Sequence, residues 1–189
     1  MARSRNPAHL VALLNAATRV FAAEGLGAST ASIAREAGVS AGTLFVYFET
    51  KPALVNELYI ALKSEMGRVA PDGLWADATP REALRCMWDQ WIAWATDDPD
   101  KRHALAHLSV AEDLTDDSRV AVHAAYAETA KILQRIIADG PMHDVPLSFV
   151  STLMSAIADI TIDDLIANPD PTGTRSTLAF EAMWRALAG

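Results

Sequence analysis

The 189-residue sequence predicts an all-α protein of nine helices, and three observations carry that expectation. Hydrophobic residues make up 51% of the chain, enough to fill a large core, and alanine, leucine, methionine and glutamate, all good helix formers, are prominent. Runs of β-branched residues alternating with polar ones, which would mark strands, are missing. Helix start and stop signals recur from one end to the other.

The elements follow in order. Arg3 and Arg5 lie in a short basic arm, and Asn6 caps a first helix with Pro7 at its first position. Leu10, Leu14, Ala17 and Phe21 recur at helical spacing along it, and Gly25 ends it. Ser29 caps a second helix, Thr30 to Ala37. Gly38 supplies a left-handed turn, Val39 plugs it, and Ser40 caps a third helix, Ala41 to Phe48. On a helical wheel Ala41, Leu44 and Phe48 share one face with Phe45 at its edge, while Gly42, Thr43, Val46 and Tyr47 form the other. Thr50 caps a fourth helix running to about Val69, and 70–79, with Pro71, Gly73 and two aspartates, reads as a loop.

Beyond it, Thr79-Pro80-Arg81-Glu82 is a capping box that opens a fifth helix carrying Trp88, Trp91 and Trp94. Asp98-Pro99 opens a sixth, with His103 and His107. Thr115-Asp116-Asp117 opens a seventh, unbroken to Gly140-Pro141; Asp144-Val145-Pro146 opens an eighth; and the ninth spans about Thr174 to Leu187. The last two are apolar around more of their circumference than one core contact needs: Phe149, Leu153, Ile157 and Ile160 on one, Leu178, Phe180, Met183, Trp184 and Leu187 on the other.

Charge is divided unevenly. Through Lys51 five basic residues (Arg3, Arg5, Arg19, Arg35, Lys51) face three acids, a net +2, whereas the remaining 11 basic and 21 acidic residues give −10. A basic end on an acidic body suits a protein that meets DNA at that end. The single cysteine, Cys86, excludes a disulfide framework. No apolar run is long enough to cross a membrane and the first residues lack the apolar core of a signal peptide, so a soluble, cytoplasmic protein is expected.

Two short helices around a tight turn, with small, hydroxyl-bearing and aromatic residues on the outer face of the second, are what a major-groove reader needs. The ordered set Ile33-Ala34, Ala37-Gly38-Val39-Ser40, Gly42-Thr43-Leu44-Phe45, Tyr47-Phe48 and Lys51 resembles the DNA-binding domain of the TetR family of transcriptional repressors, over residues 10–54. The resemblance implies a TetR-like architecture: a helix-turn-helix head over 1–52 and an effector-binding and dimerisation body over 53–189. It further implies a homodimer paired through the last two helices and bound to a palindromic double-stranded operator. Thr43 and Tyr47 are the expected DNA contacts, Lys51 the phosphate anchor, with Gly42, Phe45 and Val46 beside them. Ser29, Thr30 and Ser32 bring no carboxylate to the first turn of the second helix, leaving its N–H groups open to a phosphate. Two positions depart from the family pattern: Ala41, where lysine is common, and Val46, where a histidine or another polar residue is frequent. Val46 therefore points to apolar contact with thymine methyls, or to reading of DNA shape.

Spaced three apart, Trp88, Trp91 and Trp94 spread over more than one face of their helix, so at least one is expected to face a cavity; Trp75 and Trp184 read as packing residues. Together with His107 these three are the expected walls of an effector site for a hydrophobic or aromatic molecule. His103 and His107 share a helical face, but no HExxH pattern accompanies them and no metal or cofactor is expected. No catalytic set converges, so the chain is not read as an enzyme; the alternative is a helical small-molecule binding protein without operator binding.

Overall fold

A computed structural model describes residues 6–67 and 78–189. Among them ten α-helices and no strand occur: α1 Pro7–Glu24, α2 Thr30–Glu36, α3 Ala41–Tyr47, α4 Lys51–Met66, α5 Pro80–Asp97, α6 Pro99–Ser109, α7 Asp116–Ala125, α8 Ala127–Ile137, α9 Leu147–Ala167 and α10 Thr174–Ala188. The expected loop over 70–79, including Trp75, lies outside the described residues apart from its last two positions.

The starts follow the capping chemistry. The Asn6 Oδ1 accepts the Ala8 N–H at 3.0 Å, the Ser29 Oγ that of Ser32 at 3.0 Å, and the Ser40 Oγ that of Thr43 at 3.1 Å. In the box opening α5, the Thr79 N–H and hydroxyl both donate to Glu82 Oε2 at 2.8 Å, and the Glu82 N–H returns a bond to the Thr79 hydroxyl at 3.3 Å. The two bonds from Thr79 hold the Glu82 carboxyl below the usual carboxylate range. Gly25 (φ 70°) and Gly38 (φ 68°) take the left-handed backbone that ends α1 and turns the chain between α2 and α3.

The chain divides into two compact units, one holding residues up to Glu65 with Asp98–His123, the other Met66–Asp97 with Ala124–Gly189. In the first, α1 lies against α2 and α6, and α2 against α3. The buried face of α1 is Leu13, Ala16, Ala17, Val20 and Phe21. Leu10 and Leu14, expected inside, are only partly covered, because α6 draws a neighbouring stripe of α1 inward. In the second unit α5, α8, α9 and α10 enclose a core of Leu84, Trp88, Ile136, Met154, Ile162, Phe180 and Met183 among others. The end of α10 closes on Gly140, where a Cβ would stand 2.4 Å from the Leu187 carbonyl oxygen.

The seventh helix expected from the sequence is two. It breaks at Tyr126 (φ −98°, ψ 7°), close to His123, where the chain passes from the first unit to the second. No glycine or proline marks the place. The Tyr126 ring packs on Gly67, where a Cβ would come within 2.7 Å of it, so a tertiary contact takes up the position at which the helix bends.

Candidate nucleic-acid interface

The α2–turn–α3 pair is assembled from its buried side. Ile33 and Ala34 of α2, Leu44 of α3 and Phe48 just beyond it are fully or almost fully buried. With the back of α3 pinned at both ends, Phe45 and Val46 are about half exposed, Gly42 is open, and Thr43 and Tyr47 are partly covered. Ala41, placed on the inner face by the helical wheel, is exposed instead: the inner face narrows to Leu44 and Phe48 at a helix end. An outer face of this composition can fill a groove by shape and apolar contact and has few side chains that reach base edges.

The hydroxyls around it are engaged locally. The Ser29 Oγ caps Ser32, and the Ser32 Oγ donates to the Ser29 carbonyl at 2.7 Å. The Thr43 and Ser40 hydroxyls share a 2.9 Å bond. Neither α2 nor α3 has an acid in its first turn, so the partial positive charge of each N-terminus, α2 with Thr30 at its first position, is unopposed there. Arg19 pairs with Glu36 at 2.7 Å, both about half exposed.

Two expected DNA contacts have partners inside the chain. Lys51 is half-buried, and its ammonium donates to the carbonyl of Leu26, in the turn between α1 and α2. The Tyr47 hydroxyl meets the backbone of Asn6 twice, accepting its N–H at 2.7 Å and donating to its carbonyl at 3.0 Å, while His9 stands edge-on to the ring at 6.4 Å. Sequence reading missed Asn6 and Leu26 as partners. Their contribution is backbone, and no side-chain type announces it.

The expected effector residues fall in different places. Trp88 is 2% exposed, its indole N–H donates to the Ser176 hydroxyl at 3.0 Å, and its ring tilts against Phe180 at 6.3 Å, so it is core. Trp91 and Trp94 are half-buried against that core. The Trp94 Nε1 and the Gln90 Oε1, one helical turn apart on α5, are buried without a hydrogen-bond partner. Gln90 escaped the sequence reading, although a neutral amide among three tryptophans was its visible mark. It also lines a groove of about 670 Å³ beside α5 and α10, with Arg81, Arg85, Cys86, Phe180 and Glu181. His107 is exposed on α6, in the other unit, with its imidazole over Gly25. Among the described residues no three metal-ligating side chains converge, and no helix is long and apolar enough to cross a membrane.

Residues 13–58 match the family of bacterial regulatory proteins described as the tetR family. The fold is similar to that of solved transcription regulators. One from Shewanella sp. PV-4 is 24% identical, with 98% of this chain and 100% of that chain covered and a TM-score of 0.82. One from Marinobacter aquaeolei VT8 is 21% identical, with 96% of each chain covered and a TM-score of 0.85. The regulator FadR from Bacillus subtilis, solved in complex with stearoyl-CoA, is 17% identical, with 95% and 98% covered and a TM-score of 0.68.

Proposed function

Starting from a chain whose residues 13–58 match the tetR family of bacterial regulatory proteins and whose fold is that of solved regulators, we propose a ligand-responsive repressor of this family that binds a palindromic operator as a homodimer. The observation that carries this reading is the outer face of α3, where Phe45 and Val46 are held half exposed by Leu44 and Phe48 behind them. Residues 1–52 act as the DNA-binding head and 53–189 as the effector-binding and dimerisation body. Gly42, Thr43, Phe45, Val46 and Tyr47 face the major groove, with Lys51 and the first turn of α2 (Ser29, Thr30, Ser32) on the flanking phosphates.

The dimer forms through the last two helices. Phe149 (55% exposed) and Ile160 (72%) on α9 and Leu178 (61%) on α10 are large apolar side chains uncovered within one chain, and a second copy covers them around a two-fold axis. The effector is a hydrophobic or aromatic small molecule. Trp91 and Trp94 supply its apolar wall with Trp88 backing them from the core, and the unpaired Trp94 N–H and Gln90 oxygen supply one donor and one acceptor. His107, on α6, is the fourth residue proposed for the effector. A relative solved with stearoyl-CoA is in keeping with a largely apolar ligand. Effector binding tilts α4 and moves the two heads out of register with the half-sites, and the coupling is the difference in effector affinity between the two head spacings.

Gel retardation on the DNA upstream of the protein's own gene tests the reading. A sequence-specific, salt-sensitive complex, released by apolar compounds that also change tryptophan emission, is expected. Ligand binding with no DNA complex would instead establish a helical small-molecule binding protein.

A further inference from the structure

We propose that the effector carries a neutral polar end that both donates and accepts hydrogen bonds, a carboxamide, lactam or alcohol on an apolar body, and that Gln90 and Trp94 select for it. The proposal rests on the effector reading above and names the chemical class of its ligand. Gln90 and Trp94 stand at i and i+4 on α5, so they leave one face of the helix about 6 Å apart along its axis. One end of the Gln90 amide is in use: its Nε2 donates to the Cys86 Sγ at 3.3 Å, which leaves the oxygen over. That oxygen and the Trp94 Nε1 are both buried and both without a hydrogen-bond partner. An indole nitrogen can only donate, and an amide oxygen can only accept. A buried polar group left unpaired is costly, so a helix that holds two of them on one face gains most from a ligand that answers both.

The polarity of the pair dictates its complement. A carboxylate offers acceptors alone: it takes the Trp94 N–H but meets the Gln90 oxygen lone pair against lone pair. An ammonium reverses the conflict. Either charge also needs an opposite charge once it is taken out of water, and the charges in the adjoining groove are already matched among themselves. Arg81 donates to both Glu181 oxygens at 2.6 and 2.7 Å. Arg85 donates to both Asp89 oxygens at 3.0 and 2.9 Å and to the Thr177 hydroxyl at 3.3 Å. The Glu82 carboxylate accepts two bonds from Thr79. A neutral end with one acceptor and one donor satisfies Trp94 and Gln90 without breaking any of these, while Trp91 and Trp94 supply apolar area to the body of the ligand.

Three probes of one shape test the selection: hydrocinnamamide, hydrocinnamate and benzylacetone, which end in a carboxamide, a carboxylate and a methyl ketone. Each is titrated into the full chain while tryptophan emission is followed. Hydrocinnamamide should bind at least about tenfold tighter than either of the others, since each of those leaves the Gln90 oxygen unanswered. Gln90→Leu should bring the amide down to the level of the ketone. Trp94→Phe keeps an aromatic wall and should weaken amide and ketone alike, because both accept the indole N–H. Equal affinity for the three probes, or a carboxylate that binds as tightly as the amide, overturns the proposal and leaves an apolar effector site. A Gln90→Leu protein that keeps the parent's preference for the amide overturns it too. If either variant loses its helical circular dichroism signal, the ranking of the three probes on the parent still decides the matter. A parent whose emission answers none of the probes at millimolar concentration overturns the tryptophan wall as an effector site and the selection with it, while operator retardation reports separately on DNA binding.

Discussion

Replacing Lys51 by methionine separates two roles that meet in one ammonium. The substitution keeps an unbranched, apolar stem of similar length in a half-buried position and removes only the charge. In the free protein it deletes the bond to the Leu26 carbonyl, which braces the turn from Gly25, the cap of α1, to Ser29, the cap of α2. A hydrogen bond from a charged donor contributes about 1.5–3 kcal/mol; with partial exposure of the lysine the expected destabilisation is about 1–2 kcal/mol. On the operator the proposed phosphate contact of Lys51 would be lost as well, so the salt slope should fall by about 0.9. Between about 50 and 200 mM salt the parent should therefore lose roughly 3.5-fold more affinity than the variant. Urea denaturation followed by tryptophan emission gives the first quantity, and anisotropy of a labelled operator across a salt series gives the second. An unchanged urea midpoint would refute the bracing role. A parallel salt dependence would refute the phosphate role, and each result can occur without the other.

Three further outcomes are expected. Replacing thymine by deoxyuracil at a base pair under Val46 should weaken the parent by about 1 kcal/mol and leave Val46→Ala indifferent, since only the methyl contact differs; equal losses in both proteins would mean Val46 reads no methyl. Ile160→Asp should raise the dimer dissociation constant at least a hundredfold, because a carboxylate replaces an apolar contact worth about 1.5–3 kcal/mol and a two-fold axis counts it twice; light scattering that still finds a dimer at micromolar concentration would place the interface elsewhere. The carboxyls of Glu82, bonded to Thr79, and of Asp170, bonded to Thr172 and the Arg175 N–H, are both held below their ordinary values. Each contributes stability present above the ordinary carboxylate range and lost as the pH falls through the lowered folded value. Acid titration of Glu82→Gln should show a shallower fall over that window, and a curve of the parent's steepness would mean that the capping box carries no linkage.

The sequence by itself determined where four of the helices begin and that Leu44 and Phe48 are hidden behind α3. Asn6-Pro7, Ser29, Ser40 and the Thr79–Glu82 box act within three residues of their own position, so their outcome was legible before any packing was known. Leu44 and Phe48, four apart, go inward together and leave Val46 outside because the pitch of one helix dictates it. Tertiary structure decided the rest. Whether Leu13 or Leu14 of α1 turned inward depended on α6, some ninety residues later in the chain. Trp88 became core because Ser176, 88 residues away, offered its indole a hydroxyl, and Tyr126 bent a helix that local propensity would have continued. The Tyr47 hydroxyl and the Lys51 ammonium bond to backbone atoms 41 and 25 residues away. A peptide N–H or carbonyl is present at almost every residue, so nothing in the letters at Asn6 or Leu26 distinguishes them as partners, and only folding brings those particular groups within reach.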